Sequence, residues 1–195
     1  MLHDLQIWLV TNIIAHSPVA DLMHTAWAWP IAESVHFLGL CLLIGCIGTF
    51  DLRLLGVARR VPIAAMHRLI PFGILGFVIN ISSGLLFVLT EPDQYIYNPS
   101  FHLKFLFITI GGLNAGTFYL TSYREVFGPA AALDAPRRAK VIAAISLCAW
   151  VSVIVCGRLI TFYRPAPCSP QDSGLLLQCS PDLRGGIGNT QVTIP

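Results

Sequence analysis

The stretch from 29 to 55, WPIAESVHFLGLCLLIGCIGTFDLRLL, constrains this chain more than any other. A helix of that length crosses a hydrocarbon layer of about 30 Å. It also carries Glu33 and His36 in its first third. Ionisable groups inside a membrane helix are costly, so the pair marks a functional site by default. Segments 63–90, 99–123 and 138–163 are similarly long and apolar. The expected fold is all-α, a polytopic membrane protein with a four-transmembrane-helix bundle and an N-terminal interfacial helix.

Composition agrees. Of 195 residues, 55% are hydrophobic and 11% charged, against about 25% charged in a soluble domain. So few charges could not cover a soluble globule of this size, and a lipid bilayer is the expected surrounding. The net charge of +2 and the lack of a basic, aromatic-interleaved stripe exclude nucleic acid as a partner. The first thirty positions hold no Lys or Arg, so a cleavable signal peptide is not expected.

Three parts follow. Residues 1–28 form an N-terminal interfacial segment. Within it, Leu2, Leu5, Trp8, Leu9 and Ile13 share one side of a short helix over 2–15. Residues 29–163 form the transmembrane domain. Gly39, Gly45 and Gly48 on its first helix, and Gly111, Gly112, Ala115 and Gly116 on its third, suit close helix packing. Pro71 is expected to kink the second helix near its start. Residues 164–195, rich in Pro, Gly and Ser, read as an extracytoplasmic tail. Cys168 and Cys179 fall in it, and a disulfide between them is one option. Cys41, Cys46, Cys148 and Cys156 lie in apolar runs and read as packing residues.

Basic residues set the orientation. Arg53, Arg59, Arg60 and Arg68 flank the first loop, and Arg124, Arg137, Arg138 and Lys140 flank the third. The positive-inside rule places both loops in the cytoplasm and both termini outside.

On that topology the buried polar groups share a level. Glu33 and His36, three residues apart, lie roughly 6 and 11 Å below the outer end of the first helix. His102 and Lys104 lie within roughly 8 Å of it on the third, and Arg158 about 8 Å deep on the fourth. Asn80 and Ser83 occupy the outer half of the second helix.

Three readings fit this layer. In the plainest, Glu33 pairs with Arg158 or Lys104, His36 bonds a carbonyl, and the cluster only fixes helix register. In the second, His36 and His102 ligate a b-type haem whose propionates meet Lys104 and Arg158. His36 sits some 6 to 9 Å deeper than His102, so this arrangement needs a tilted helix. In the third, His36, Glu33 and His102 bind copper or another metal ion. His67 reads as interfacial. His3, His16 and His24 read as surface residues.

The run W-P-x-x-E-S-x-H-F-x-G followed by D-L-R-L-L-G, over 29–56, resembles an uncharacterised family of four-helix bacterial inner-membrane proteins. So do Gly76-Phe77 with Ser83-Gly84, N-P-x-F-x-x-K with L-N-A over 98–115, and W-x-x-V-I-x-x-G-R-x-I over 150–160. The resemblance covers residues 25–163 and is loosely similar, in fold alone, to copper-resistance membrane proteins and four-helix b-type cytochromes. It implies that Glu33, His36, Asp51, Arg53, Lys104, Asn114 and Arg158 belong to the family pattern, while His102 departs from it. The expected function is an inner-membrane subunit that binds a redox cofactor, haem b, near the outer face for electron transfer. The alternatives are an accessory or assembly subunit of a larger membrane complex, with partner subunits or further copies of itself, and a copper-handling protein. The enzyme question stays open.

Overall fold

The structure, a computed structural model, describes residues 8, 22–23, 25–128, 134–163, 166–167 and 179–180. The expected helix over 2–15, the surface histidines His3, His16 and His24, and the Cys168–Cys179 disulfide rest on residues outside that set.

The first spanning helix, α1 (Ala28–Leu55), ends on Gly56, whose φ of 102° suits only glycine well. There the Gly56 and Val57 N–H groups donate to Arg53 and Leu52 carbonyls. Arg53 is buried and ties down the following loop, donating from Nε to the Val61 carbonyl and from Nη2 to that of Arg59. The D-L-R-L-L-G motif is therefore a helix stop with its own loop anchor.

The second span is two pieces, α2 (Ile63–His67) and α3 (Ile70–Thr90). The kink expected from Pro71 takes the form of a break at Arg68 and Leu69. Pro71 has no N–H for the carbonyl four residues earlier, so the helix restarts. The short α4 (Pro92–Ile96) leads to α5 (Pro99–Thr121), which begins on an Asn98 cap with Pro99 in its first turn. A further turn, α6 (Tyr123–Phe127), precedes α7 (Arg137–Ile160). Among the described residues, four helices are thus long and apolar enough to cross a membrane, counting α2 and α3 as one. Ala166–Pro167 and Cys179–Ser180 pair in parallel over two residues.

α1 packs against both α3 and α7, and α5 against α7, each pair antiparallel. Lipid offers helices no hydrophobic drive to associate, so close packing and hydrogen bonds must hold them. Gly39 and Gly76 bring α1 and α3 together, and Gly111 seats the Trp150 ring of α7 on α5. Asn114 donates from Nδ2 to the Ile142 carbonyl at 2.9 Å, linking α5 to α7. Gly45, Gly112 and Gly116, expected on packing faces, meet nothing within 4 Å of an added Cβ. These three face open space, and on α5 exposed Leu106, Leu113 and Leu120 suit lipid contact.

Three apolar clusters run through the bundle. At the Asp51 end, Phe50 and Leu54 of α1 meet Phe118 of α5 and Ile142 and Ala143 of α7. In the middle, Leu43 meets Trp150 and Val153, with Phe77 and Phe107 against them. At the His36 end, Met23, Ala32 and Phe87 form a cluster that, among the described residues, draws nothing from α5 or α7. The α1–α3 and α5–α7 hairpins are thus locked together at one end and less so at the other.

Outside the spans, Lys140 donates to Asp134 at 2.7 Å and holds the Asp134 carboxyl below its ordinary range. A carboxyl depressed in the folded state adds stability above its unfolded pKa of about 3.9, lost as pH falls through the folded value. Both side chains are partly exposed, so solvent keeps the gain small. Melting curves of Asp134→Asn and wild type are expected to differ slightly at neutral pH and to converge on acidification below the ordinary aspartate range.

Candidate functional site: a histidine–lysine layer at one end of the bundle

His36 is half-buried on α1, and α3 shapes its surroundings. Its Nδ1 lies 2.9 Å from Ser83 Oγ. Ser83 spends its single proton on the backbone of its own helix, 2.7 Å from the Ile79 carbonyl. The hydroxyl therefore accepts, and His36 Nδ1–H donates. In the neutral ring this leaves Nε2 as a bare lone pair. Asn80, also buried, donates from Nδ2 to the His36 carbonyl at 3.0 Å. Gly84 lies beside the imidazole, where an added Cβ would stand at an ordinary contact distance of 3.5 Å from Cε1. The Phe87 ring meets the imidazole edge-on at 5.6 Å. Backbone, ring and tautomer of His36 are all set from α3.

Lys104 comes from the other hairpin. It is half-buried and lies in electrostatic range of His36. Its Nζ lies beside Gly157 of α7, at an ordinary contact distance of 3.7 Å from where a Cβ would be. Among the described residues Lys104 makes no ion pair. The sequence-expected layer therefore gathers His36, Asn80, Ser83 and Lys104.

Three other expected members stand apart. Glu33 is exposed and pairs with neither Arg158 nor Lys104 among the described residues, so the register-fixing ion pair is not formed. Arg158 was expected to be buried but is exposed, its guanidinium carbon 5.4 Å above the Phe162 ring. The four-residue spacing and the nearby helix end allow that cation–π contact. His102 is exposed on α5, with Phe101 as its ring neighbour at 6.5 Å. At the Asp51 end α1 meets α5 through Phe50 and Phe118, but among the described residues His102 and His36 share no hydrogen bond or ring contact. No three His, Cys, Asp or Glu side chains group as a metal site among the described residues.

One comparison explains the split. Glu33 and Asp51 are 51 − 33 = 18 residues apart, five turns of 3.6, and so share a face of α1. Asp51 is buried, at 5% exposure, whereas Glu33 is exposed. Among the described residues, the face that α7 covers at the Asp51 end is not covered at Glu33. Sequence spacing alone does not show where one helix leaves another.

His67, which reads as interfacial in the sequence, has aromatic neighbours that local spacing does not show. It sits among Phe50, Tyr119, Tyr123 and Phe127, with ring centroids 4.8 to 6.1 Å away, and its Nε2 lies 3.2 Å from the Tyr119 hydroxyl. Those partners come from three other helices, out of reach of a local pattern.

Comparison with protein-family models, curated proteins and solved structures finds no match to this chain. Fold and site together define a four-span, all-α membrane protein with a polar centre near one end.

Proposed function

We propose that the chain is a membrane-embedded subunit that holds a redox cofactor at its His36 end, where His36 Nε2 and Lys104 are the binding groups. The observation that carries this is the Ser83 hydrogen bond, which leaves Nε2 free to bind. Metal-ligating histidines characteristically donate their other ring nitrogen in this way. The cofactor must take one imidazole nitrogen and one ammonium, and haem b, with an iron and carboxylates, meets both requirements. When bound it would supply a one-electron couple. His36 would bind the iron, Ser83 would fix the ring, and Lys104 would neutralise a propionate. Among the residues gathered here, His36 is the one that would ligate the iron. His102 is not proposed as a second ligand because it is exposed and apart from His36. Copper is not proposed because Glu33, His36 and His102 do not converge.

The uncovered face of α1 that bears Glu33 supports the subunit part of the reading. A carboxylate in a spanning helix is costly against lipid and is relieved by a partner, a cofactor edge or the interface. By the distribution of basic residues this end faces the periplasm of an inner membrane.

The test is a titration of cofactor-free protein in lipid with haemin, followed by absorbance. Wild type is expected to bind one haem per chain. Ser83→Ala should bind about 10 to 100-fold more weakly, and His36→Ala more weakly still. Lys104→Met should weaken binding without abolishing it, and His102→Ala should leave it unchanged. Folded wild type that binds no better than His36→Ala would instead favour a cofactor-free accessory or assembly subunit.

A further inference from the structure

The other end of the bundle holds a group that the His36 layer does not use. Asp51 is 5% exposed and follows Phe50, which belongs to the apolar cluster with Leu54, Ile142 and Ala143. Ser146 of α7, itself buried, is the side chain that offers its carboxyl a hydroxyl. Oδ2 is buried and has no hydrogen-bond partner. A carboxyl removed from water with an oxygen unmet is expensive, and native structures keep few such groups without a purpose.

Arg53, Lys140 and His67 each have hydrogen-bond partners other than Asp51. Arg53, two residues on, donates to the Val61 and Arg59 carbonyls. On α7, Lys140 is bound to Asp134. Beyond Phe50, His67 of α2 is bonded to Tyr119 of α5. Among the described residues no cation forms an ion pair with Asp51. The protein thus presents one carboxylate oxygen, inside a spanning helix and in an apolar setting, to whatever small cation can reach it.

We propose that Asp51 is a monovalent-cation site in which Oδ2 takes up a proton or a sodium ion and Ser146 Oγ supports the carboxyl. Cation uptake neutralises the group while the bundle is closed, and release requires the Asp51 end to open to water. The proposal is independent of any cofactor at His36.

The test is infrared difference spectroscopy of the full chain in lipid, titrated from mildly acidic to mildly alkaline pH with sodium or choline as the salt. A carboxylic C=O band is expected in wild type and absent from Asp51→Asn. Loss of most of that band on raising pH, equally in both salts, identifies the proton. Loss on adding sodium at fixed pH identifies the sodium ion. Ser146→Ala retains the carboxyl and should shift the band, which preserves the test if Asp51→Asn does not fold. A wild-type spectrum with no band that responds to pH or sodium, unchanged in Ser146→Ala, would overturn the proposal.

Discussion

Gly76→Ala is expected to destabilise the bundle by about 3 kcal/mol, at the upper end of the usual cost of overpacking. An added Cβ would lie 2.6 Å from the Leu43 nitrogen and 2.7 Å from the Gly39 carbonyl oxygen. Both are backbone atoms, so no rotamer change relieves the clash and α1 must move away from α3. The same interface carries the His36–Ser83 and Asn80–His36 hydrogen bonds. Loss of stability should therefore bring loss of cofactor affinity. Gly112→Ala provides the control. Nothing lies within 4 Å of its added Cβ, and alanine gains up to about 1 kcal/mol of helix propensity over glycine. Unfolding in lipid should show Gly112→Ala at or above wild type and Gly76→Ala well below it. Equal stabilities for the two would mean that Gly76 is not at the helix crossing.

Asn98→Ala has the second large effect. Asn98 is 0% exposed and makes three hydrogen bonds. Its Nδ2 donates to the Ile160 carbonyl at 3.0 Å and to the Tyr163 carbonyl at 2.8 Å, and its Oδ1 accepts from the Ser100 N–H at 2.9 Å. One side chain thus starts α5 and closes the end of α7. Each buried group left unmet costs about 1 to 3 kcal/mol, so losing all three should cost about 3 kcal/mol or more. Asn98→Asp separates the two roles. Aspartate can still cap Ser100, but it cannot donate to the two carbonyls and sets a charge against them. It should therefore be no more stable than Asn98→Ala. If Asn98→Asp proved close to wild type, the link to α7 would carry little of the stability.

Much of this architecture is legible in the sequence because lipid imposes simple rules. Four apolar runs of sufficient length give four helices, and Asn98-Pro99 and Gly56 mark a start and a stop without reference to the rest of the fold. Pro71 locates the break that divides α2 from α3. The site was only partly legible. His36, Asn80, Ser83 and Lys104 were found by depth along their helices, and depth survives folding. Arg158, His102 and Glu33 share that depth but point outward, and direction depends on which neighbours reach that level. Asp51 shows the same limit in reverse. It stands near a helix end, yet it is buried, with Ser146 of α7 beside its carboxyl. The periodicity of Leu43, Cys46, Phe50 and Leu54 marks the core face of α1, and Asp51 lies beside that face rather than on it. Its burial could not be inferred without knowing how α7 crosses.

The account depends most on His36 being a ligand and not merely a well-placed core histidine. The direct measurement is the reduced-minus-oxidised visible spectrum of the protein purified from its own membranes, beside that of His36→Ala at matched helical content. The account predicts a b-type difference spectrum in the first and none in the second. A featureless spectrum from folded wild type, or the same bands in both, would contradict it.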